Sequence, residues 1–172
     1  MGGLLTLYME IRIARHEDLF NINMIYNQAV EQKFCTAHLE PVGMDYHEDW
    51  FREYNQGPFA IHVAIENSRV IGWSSLGPYR SGREALAHVV EVSYYVHNDA
   101  RGRGVGSLLL QHAIEEAPRF GYSVLIAILL SKNNVSIGLL EKFGFACWGT
   151  MPGIALIGKN LADHLYYGLK LS

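Results

Sequence analysis

The sequence predicts an α+β fold with a mixed sheet flanked by helices, and three observations support this. Two helical patterns come early in the chain, strand patterns joined by a short polar turn follow them, and a strand, helix, strand succession occupies residues 88 to 130. Strands of such a βαβ unit are parallel, whereas strands joined by a tight turn are antiparallel. The order of the patterns therefore predicts a mixed sheet.

The first half of the chain contains one strand pattern and two helical patterns. Glu10 to Ala14 alternates and predicts a strand, after which His16-Glu17-Asp18 supplies the acidic residues favoured where a helix begins. An apolar stripe at helical spacing runs from Leu19 to Ala29. Aromatic residues repeat that spacing from Asp45 to Tyr54, and Gly57-Pro58 is expected to end this second helix.

Two antiparallel strands and a third, longer strand are expected in the middle of the chain. Phe59 to Ile65 and Val70 to Ser75 flank the polar turn Glu66-Asn67-Ser68, which is typical of a hairpin. A loop with glycine and arginine follows from Gly77 to Glu84. Because His88 to Val96 is rich in β-branched and aromatic residues, we expect a strand there.

The remaining patterns predict two helices and three strands. Val105 to Ala117 is amphipathic at helical spacing, and the apolar run Val124 to Leu130 is typical of a buried strand. Asn133-Asn134 is expected to cap a short helix through Phe143, with Gly144 in the left-handed position after its end. The last two strands are expected at Phe145 to Thr150 and His164 to Leu171.

Length and composition favour one domain and disfavour several classes of protein. The 172 residues suit a single domain, placed at residues 9 to 172 after a short leader, Met1 to Tyr8. Apolar residues make up 49% of the chain, enough for a core, so disorder is not expected. The net charge of −3 lacks the basic excess of a general nucleic-acid binder.

Membrane, secreted and metal-dependent classes are also disfavoured. The longest apolar run is far shorter than the roughly 20 residues of a membrane-spanning helix, and the N-terminus lacks the features of a signal peptide. Cys35 and Cys147 have no paired spacing, so no disulfide framework is expected and a reducing cytoplasm is the simplest location. The eight histidines show no HExxH and no zinc-like spacing, so we expect no metal.

The sharpest motif is the turn Arg101-Gly102-Arg103-Gly104-Val105-Gly106, which follows a strand and opens a helix. Its glycines let the main chain approach a ligand closely, the helix N-terminus presents unsatisfied N–H groups, and the arginines add positive charge. These features suit a pyrophosphate. The alternative is a plain strand-to-helix turn, which needs one glycine rather than three.

Three other motifs fit the chain poorly. A Rossmann fingerprint would need glycine where Ser107 stands, and the acid expected about 20 residues further on is missing. The segment Gly153 to Asn160 matches GxxxxGK but ends in asparagine where a P-loop needs a hydroxyl, so we interpret it as a core strand and a turn. Gly72 to Gly77, GWSSLG, does not fit the GxSxG elbow of a serine hydrolase.

The region around the glycine turn resembles the GNAT family of N-acetyltransferases. Val89 to Leu109, VVEVSYYVHNDARGRGVGSLL, is similar to the family's motif A, with Arg101, Gly104 and Gly106 at the fixed positions of R/Q-x-x-G-x-G/A. Further similar segments, which extend the resemblance over nearly all of residues 9 to 171, are IYNQAVEQ, LEPVG, Asn133-x-x-Ser136 and EKFGF. Together they point to the phosphinothricin acetyltransferase-like branch.

The resemblance implies a three-layer GNAT fold whose mixed, mostly antiparallel sheet contains two splayed parallel strands. Acetyl-CoA would enter between the strand ending at Val96 and the strand Val124 to Leu130, pairing with the main chain of Tyr94, Tyr95 and Val96. Amides from Gly102 through Ser107 would hold the pyrophosphate. The other cofactor-binding residues implied are Arg101, Arg103, Asn133 and Ser136; for Asn133, a helix cap is the alternative role.

For catalysis, the resemblance implies that Glu91 is the general base, since it matches the acid of the branch's ExSxYV pattern. A usual glutamate pKa of about 4.3 is far below that of an alkylammonium, so proton removal needs a water or a raised pKa. A solvent-facing carboxylate or a structural ion pair is the alternative. A strand amide near Tyr94 would polarise the acetyl oxygen. Many relatives have a tyrosine that acts as the general acid at the position of Leu140. In this chain, Ser136 or water would instead protonate the departing CoA thiolate.

The implied acceptor is a small amino-acid-like amine of the phosphinothricin, methionine sulfoximine or methionine sulfone type. Arg80 matches a substrate-contacting position, and Arg83 lies in the same loop; guanidinium groups suit a carboxylate or phosphinate, although both could be solvated loop arginines. Glu91 and Ser93 are the other implied substrate contacts. We expect direct transfer, a homodimer, and no nucleic-acid or membrane partner. Two alternatives stay open: a protein or peptide N-acetyltransferase, and a catalytically silent CoA-binding sensor.

Overall fold

Seven strands form one sheet in the order β1-β2-β3-β4-β5-β7-β6, in a computed structural model that describes residues 9 to 55 and 59 to 171. The strands are β1 Glu10–Ile13, β2 Ala60–Glu66, β3 Arg69–Pro78, β4 Val89–Val96, β5 Val124–Leu130, β6 Ala146–Ile157 and β7 Asn160–Lys170. The expected leader at residues 1 to 8 and the expected helix stop at Gly57-Pro58 lie outside the described residues.

Four α-helices of the described residues flank the sheet, and each lies where the sequence predicts a helical pattern. The helices are α1 Leu19–Glu31, α2 Met44–Tyr54, α3 Val105–Glu116 and α4 Asn134–Lys142. The ends of the last helix follow the local sequence rules. The Asn133 side chain accepts from the Ser136 amide at the N-terminus, and Gly144 has a φ of 84° just after the C-terminus.

The sheet is mixed, as predicted. Five neighbouring strand pairs are antiparallel, and β4 and β5, which are connected through α3, are parallel. The hairpin between β2 and β3 turns through Asn67 and Ser68, whose φ values of 49° and 63° are the left-handed conformation required by a tight two-residue turn. The predicted α+β fold with splayed parallel strands is confirmed.

The two faces of the sheet bury different helices. On β2, Ile61 and Val63 point to one face and pack in a cluster with residues of α1, while Ala64 points to the other face and packs with Val105 and Leu109 of α3. This alternation follows from the two-residue period of a strand. Residues one position apart on the central strands therefore belong to separate layers.

The interpretation of residues 153 to 160 as a core strand and a turn is only half correct. The segment does form the end of β6 and its turn, but Ile154 and Leu156 are exposed by 59% and 60%. The reason is position, because β6 is the last strand of the sheet and its side chains lack a covering layer in the described chain. An apolar strand pattern does not reveal whether its strand is central or at an edge.

Two expectations from the sequence, that the chain has no membrane-spanning helix and no disulfide framework, can be compared with the described residues. None of their helices is both long enough and apolar enough to span a bilayer. Both cysteines are free, Cys35 partly buried and Cys147 exposed.

Candidate acetyl-CoA cleft and acceptor pocket

A wedge opens between the parallel strands β4 and β5. Their register runs from Val89 opposite Val124 to Glu91 opposite Ile126 and then stops. Beyond this point β4 stays paired with β3 as far as Val96, and β5 stays paired with β7 as far as Leu130. The facing edges of the two strands therefore carry backbone N–H and C=O groups that are available to a ligand.

The wedge forms part of a cleft with a volume of about 890 Å³. Its walls include most of the residues that the sequence assigned to acetyl-CoA. Those residues are Tyr94, Tyr95, Val96, Arg101, Gly102, Gly104, Val105, Gly106, Ser107, Asn133 and Ser136.

The N-terminus of α3 supplies a row of free amides at the cleft. Gly104 is the residue that precedes the helix, with a φ of 85°, and Gly102 has a φ of 70°, conformations that glycine adopts without strain. Within the described chain, none of the N–H groups of residues 102 to 107 donates to another protein group, and the first bond of the helix is Leu108 N to Gly104 O. Such an array binds anions.

The two arginines of the glycine turn have different surroundings. Arg101 is exposed, lines the cleft and donates from Nε to Val96 O at 3.4 Å. Arg103 forms an ion pair with Glu66 and is not part of the cleft wall. Lys132 and Lys142, which sequence reasoning did not single out, do line the cleft. Neither lysine belongs to a local motif, so only the fold brings them to this site.

A hydroxyl pair lies in the same cleft. Tyr94 Oη donates to Ser136 Oγ at 3.2 Å, and burial raises the pKa of Tyr94 to about 12, so this phenol stays protonated at neutral pH. Asn133 has the capping role that was its alternative, since its Oδ1 accepts from the Ser136 amide at 3.2 Å. Leu140 is 1% exposed and has no proton to offer.

A second, smaller cavity of about 220 Å³ adjoins the cleft. Its floor is made by facing residues of β3 and β4 and its roof by aromatic residues of α1 and α2. The floor residues are Trp73, Ser75, Gly77, Pro78, Glu91, Ser93 and Tyr95, and the roof residues are Tyr26, Tyr46, His47, Trp50 and Tyr54. We call this cavity the aromatic pocket.

Glu91 is the acidic residue of the aromatic pocket. Burial raises the pKa of its carboxyl from 4.5 to about 6, because the charged form is poorly solvated there. No hydrogen bond or ion pair from another described residue reaches the carboxylate, so a structural ion pair is not its role in the described chain. A carboxylate with this pKa is ionised at neutral pH and still basic enough to accept a proton.

The aromatic rings hold one another in place. Trp73 lies 4.7 Å from Tyr95 and 5.3 Å from Trp50 between ring centroids, and Tyr26 lies 5.0 Å from Tyr95. Such contacts fix ring orientation as well as bury area. The pocket therefore has preformed walls.

His47 in the roof is neutral. Burial lowers its pKa to about 4, and it is 1% exposed. Its Nδ1 lies 3.0 Å from Asn23 Nδ2. The pocket thus has a polar but uncharged group in its roof.

Sequence reasoning missed most of this pocket. It assigned Tyr26, Tyr46, Trp50 and Tyr54 to apolar helix stripes, which predicted core packing rather than a cavity wall. One signal was present, since a core stripe normally carries leucine and isoleucine, whereas these positions carry rings with polar tips. The shape of a cavity between two helices and a sheet is not encoded in the spacing.

Neither predicted substrate arginine lines the aromatic pocket. Arg80 and Arg83 are exposed in the loop that follows Pro78, and the Arg80 guanidinium carbon lies 5.9 Å from the centre of the Tyr79 ring. No lysine or arginine occurs among the described residues of the pocket wall. The loop nonetheless starts at the pocket, because Gly77 and Pro78 are part of its floor.

The cleft and the pocket meet at two residues. Ser93 and Tyr95 line both cavities, and Glu91 is on the same face of β4, one alternate position before Ser93. A molecule in the wedge and a second one in the aromatic pocket would therefore touch beside Glu91.

Comparisons with known proteins agree with this geometry. Residues 22–145 match the model of the Acetyltransferase (GNAT) family. The chain is 37% identical over 145 residues to an L-methionine sulfoximine/L-methionine sulfone acetyltransferase of Pseudomonas aeruginosa, covering 84% of each protein. It is 30% identical over 148 residues to a phosphinothricin N-acetyltransferase of Streptomyces coelicolor, covering 84% of this chain and 86% of that protein.

A solved structure extends the agreement to the fold. It is a phosphinothricin acetyltransferase of Sinorhizobium meliloti in complex with acetyl-CoA, with a TM-score of 0.90 and 25% identity over 95% of this chain and 89% of the other. The match in sequence, the match in fold and the wedge between β4 and β5 agree. The chain belongs to the acetyltransferase (GNAT) family, in its phosphinothricin acetyltransferase-like branch, and is an acetyl-CoA-dependent N-acetyltransferase.

Proposed function

We propose that this protein transfers the acetyl group of acetyl-CoA directly to the amine of a small amino-acid-like substrate, with both bound at once. The observation that carries the proposal is the junction of the cleft and the aromatic pocket at Ser93 and Tyr95, beside Glu91. Two adjoining cavities allow two reactants to touch without an acetylated enzyme residue between them. Bringing reactants together in this way is a large part of catalysis.

The cleft residues suit the parts of acetyl-CoA in order. Free amides of residues 102 to 107, with Arg101 beside them, would hold the diphosphate, and Arg103 would add charge only from outside the cleft wall, where it pairs with Glu66. The open β4 edge at Tyr94, Tyr95 and Val96 would pair with the amides of the pantetheine arm. Ser136 lies with its Oγ 3.2 Å from Tyr94 Oη, and Asn133 caps the helix that carries Ser136. Acetyl-CoA supplies an activated acyl group.

The transfer needs one proton removed and one returned. Glu91, directly or through a water, takes the proton of the substrate ammonium, and the freed nitrogen lone pair forms the C–N bond as the C–S bond breaks. A strand amide near Tyr94 polarises the carbonyl oxygen. The departing sulfur leaves as a thiolate, which needs no dedicated acid because the usual pKa of a thiol is about 8.5, and it takes its proton from solvent water, directly or relayed by Ser136 Oγ. This route replaces the tyrosine that Leu140 cannot supply.

The size and walls of the aromatic pocket favour an amino-acid-like acceptor. A volume of about 220 Å³ suits a compound of that size better than a folded protein segment. Its rings suit a side chain that ends in a methyl group, since apolar groups pack well on aromatic faces. Arg80, two residues beyond Pro78, would reach a carboxylate or phosphinate at the mouth, with Arg83 further along the loop.

A thiol-release assay over a panel of amines tests the proposal. Methionine sulfone, methionine sulfoximine and phosphinothricin should release CoA thiol well above the rate without acceptor, whereas peptides with a free N-terminal amine should not. Preference for the peptides would favour a protein N-acetyltransferase. Acetyl-CoA binding without turnover over the whole panel would favour a silent CoA-binding sensor, and either result contradicts the proposal.

We also propose that the protein is a cytoplasmic homodimer whose domain begins at residue 9. Exposed Ile154, Leu156 and Leu161 on the β6–β7 hairpin form an apolar surface of the kind that marks an interface, and the free cysteines suit a reducing compartment. Light scattering should give twice the chain mass for the wild type and a smaller mass for Leu156→Lys. A monomeric wild type would contradict the dimer.

A further inference from the structure

Three side chains of types that commonly bind metals lie together on the face of the sheet that α3 covers. His62 is in the middle of β2, and His112 and Glu116 are one turn apart on α3. One ligand atom from each residue can be chosen so that all three atoms lie within 4.8 Å of one another. The two imidazole rings meet edge to face, with centroids 4.4 Å apart.

The cluster is separate from the acetyl-CoA cleft and the aromatic pocket. His62 alternates with Ile61 and Val63, which pack toward α1, so its ring points to the opposite face and meets α3. None of the three residues lines either cavity. Whatever these residues bind, they do not contact the reacting groups.

A buried ring nitrogen without a partner points to a ligand. His112 Nε2 is fully buried and has no hydrogen-bond partner among the described residues. Buried polar atoms in proteins are nearly always paired, and an unpaired one calls for a specific explanation. A metal ion bound at Nε2 would use its lone pair and provide that explanation.

The charges around the cluster suit a cation. His62 is 5% exposed and His112 Nε2 is fully buried, and since a charged imidazolium is poorly solvated in such surroundings, neutral rings that keep a lone pair are favoured. Glu116 is the carboxylate of the set, and Glu115 adds a second negative charge nearby. Arg119 pairs with one oxygen of Glu116, which leaves the other oxygen for an ion.

We propose that His62, His112 and Glu116 bind a divalent transition-metal ion of the Zn²⁺ type that ties β2 to α3. Two imidazoles and one carboxylate are a common zinc ligand set, with water in the fourth tetrahedral position. Zinc bonds of about 2.0–2.1 Å place ligand atoms roughly 3.3 Å apart. The three side chains would therefore close from at most 4.8 Å by small rotamer changes.

No short-range sequence motif contains all three ligands of this site. His112 and Glu116 have the i, i+4 spacing of two ligands on one helix face, but His62 lies far earlier in the chain, on a strand that only the fold brings to α3. The expectation of no metal rested on short-range histidine patterns alone.

The test is metal binding by untagged protein. Zn²⁺ competition with a chromogenic indicator should give one equivalent per chain, and Co²⁺ should give the visible bands of a tetrahedral site. His112→Phe should weaken Zn²⁺ binding by at least the roughly 10–100-fold that follows loss of a second-shell partner, and Glu116→Gln should weaken it in the same direction. His88→Gln, which changes an exposed histidine elsewhere, is the control.

The outcomes divide clearly. One equivalent in the wild type and the control, with weakened binding in both cluster variants, supports the site. Absence of Zn²⁺ binding by the wild type overturns the proposal, as does equal binding by the wild type and the two variants. Circular dichroism will show whether His112→Phe folds. If it does not, Glu116→Gln still tests the site, because this substitution keeps the size and shape of the side chain.

Discussion

The two cavities that meet at Ser93 and Tyr95 are built from different parts of the chain. The cleft presents backbone groups at the open edges of β4 and β5 and at the free amides of α3, and its conformation depends on glycines such as Gly104. The aromatic pocket is built almost entirely from side chains, with rings from α1 and α2 closed over β3 and β4. A backbone site suits a common co-substrate, whereas a side-chain site allows selectivity to change by substitution.

The difference predicts two kinds of mutational effect. Changes in the aromatic pocket should alter turnover or acceptor choice while leaving acetyl-CoA binding intact. Changes at the glycine turn should alter acetyl-CoA binding with every acceptor alike.

Glu91→Gln should have the largest effect, because it removes the basic carboxylate while it keeps the size and shape of the side chain. We expect kcat to fall by about 10²–10⁴-fold, the usual contribution of general acid–base catalysis, while calorimetric affinity for acetyl-CoA stays within about twofold of wild type. The control is Glu10→Gln, which changes an exposed glutamate at the start of β1. Wild-type turnover by Glu91→Gln would remove this residue from the chemistry.

The pH profile adds an independent check on the same residue. With a pKa of about 6, Glu91 accepts a proton only when ionised, so kcat/KM should fall with unit slope as pH drops below about 6. The Glu91→Gln variant should lose this acidic limb. An identical limb in the variant would assign it to another group.

Arg101→Glu should come next in size, by weakening acetyl-CoA binding about 10–100-fold through charge reversal at an exposed anion site. The rise in the KM for acetyl-CoA should be the same with every acceptor. Arg15→Glu, an exposed arginine beside Glu17, is the matched control. Unchanged affinity by titration calorimetry would count against the glycine turn as the diphosphate site.

Arg80→Ala should have a smaller and more selective effect. If Arg80 holds the substrate carboxylate, KM for methionine sulfone should rise about tenfold, the scale of one charge-assisted hydrogen bond, with less change for an amine that lacks a carboxylate. Arg83→Ala, in the same loop, should change KM less. Equal effects on both kinds of amine would assign Arg80 a role other than carboxylate binding.

These contrasts also explain what could be predicted from the sequence. Turns and caps are local, so Gly104, Asn133 and the run Val124–Leu130 could be placed from neighbouring residues alone. The pairing of Arg103 with Glu66 and the exposure of Leu156 depend on contacts between distant segments or on a strand's place in the sheet. Such contacts have no local sequence signature. For the same reason, the spacing of the aromatic residues in α1 and α2 predicts core packing rather than the wall of a pocket.

Glu91→Gln should also change the stability of the protein, and this effect has the opposite sign to the effect on activity. The pKa of Glu91 is raised from 4.5 to about 6 by burial, so its stabilising contribution is complete below pH 4.5 and lost as pH rises through 6. At pH 8, Glu91→Gln should therefore gain up to about 2 kcal/mol, or roughly 4–8 °C in Tm. At pH 4 the gain should vanish. Equal Tm differences at both pH values would contradict a buried carboxylate.

A crystal structure with CoA and methionine sulfone bound together tests the two-cavity account most directly. The account predicts the diphosphate on the amides of residues 102 to 107, the thiol at the wedge beside Ser136, and the sulfone's amine within hydrogen-bond reach of Glu91, directly or through one water. A CoA molecule outside the β4–β5 wedge, or an amine that faces away from Glu91, would contradict it.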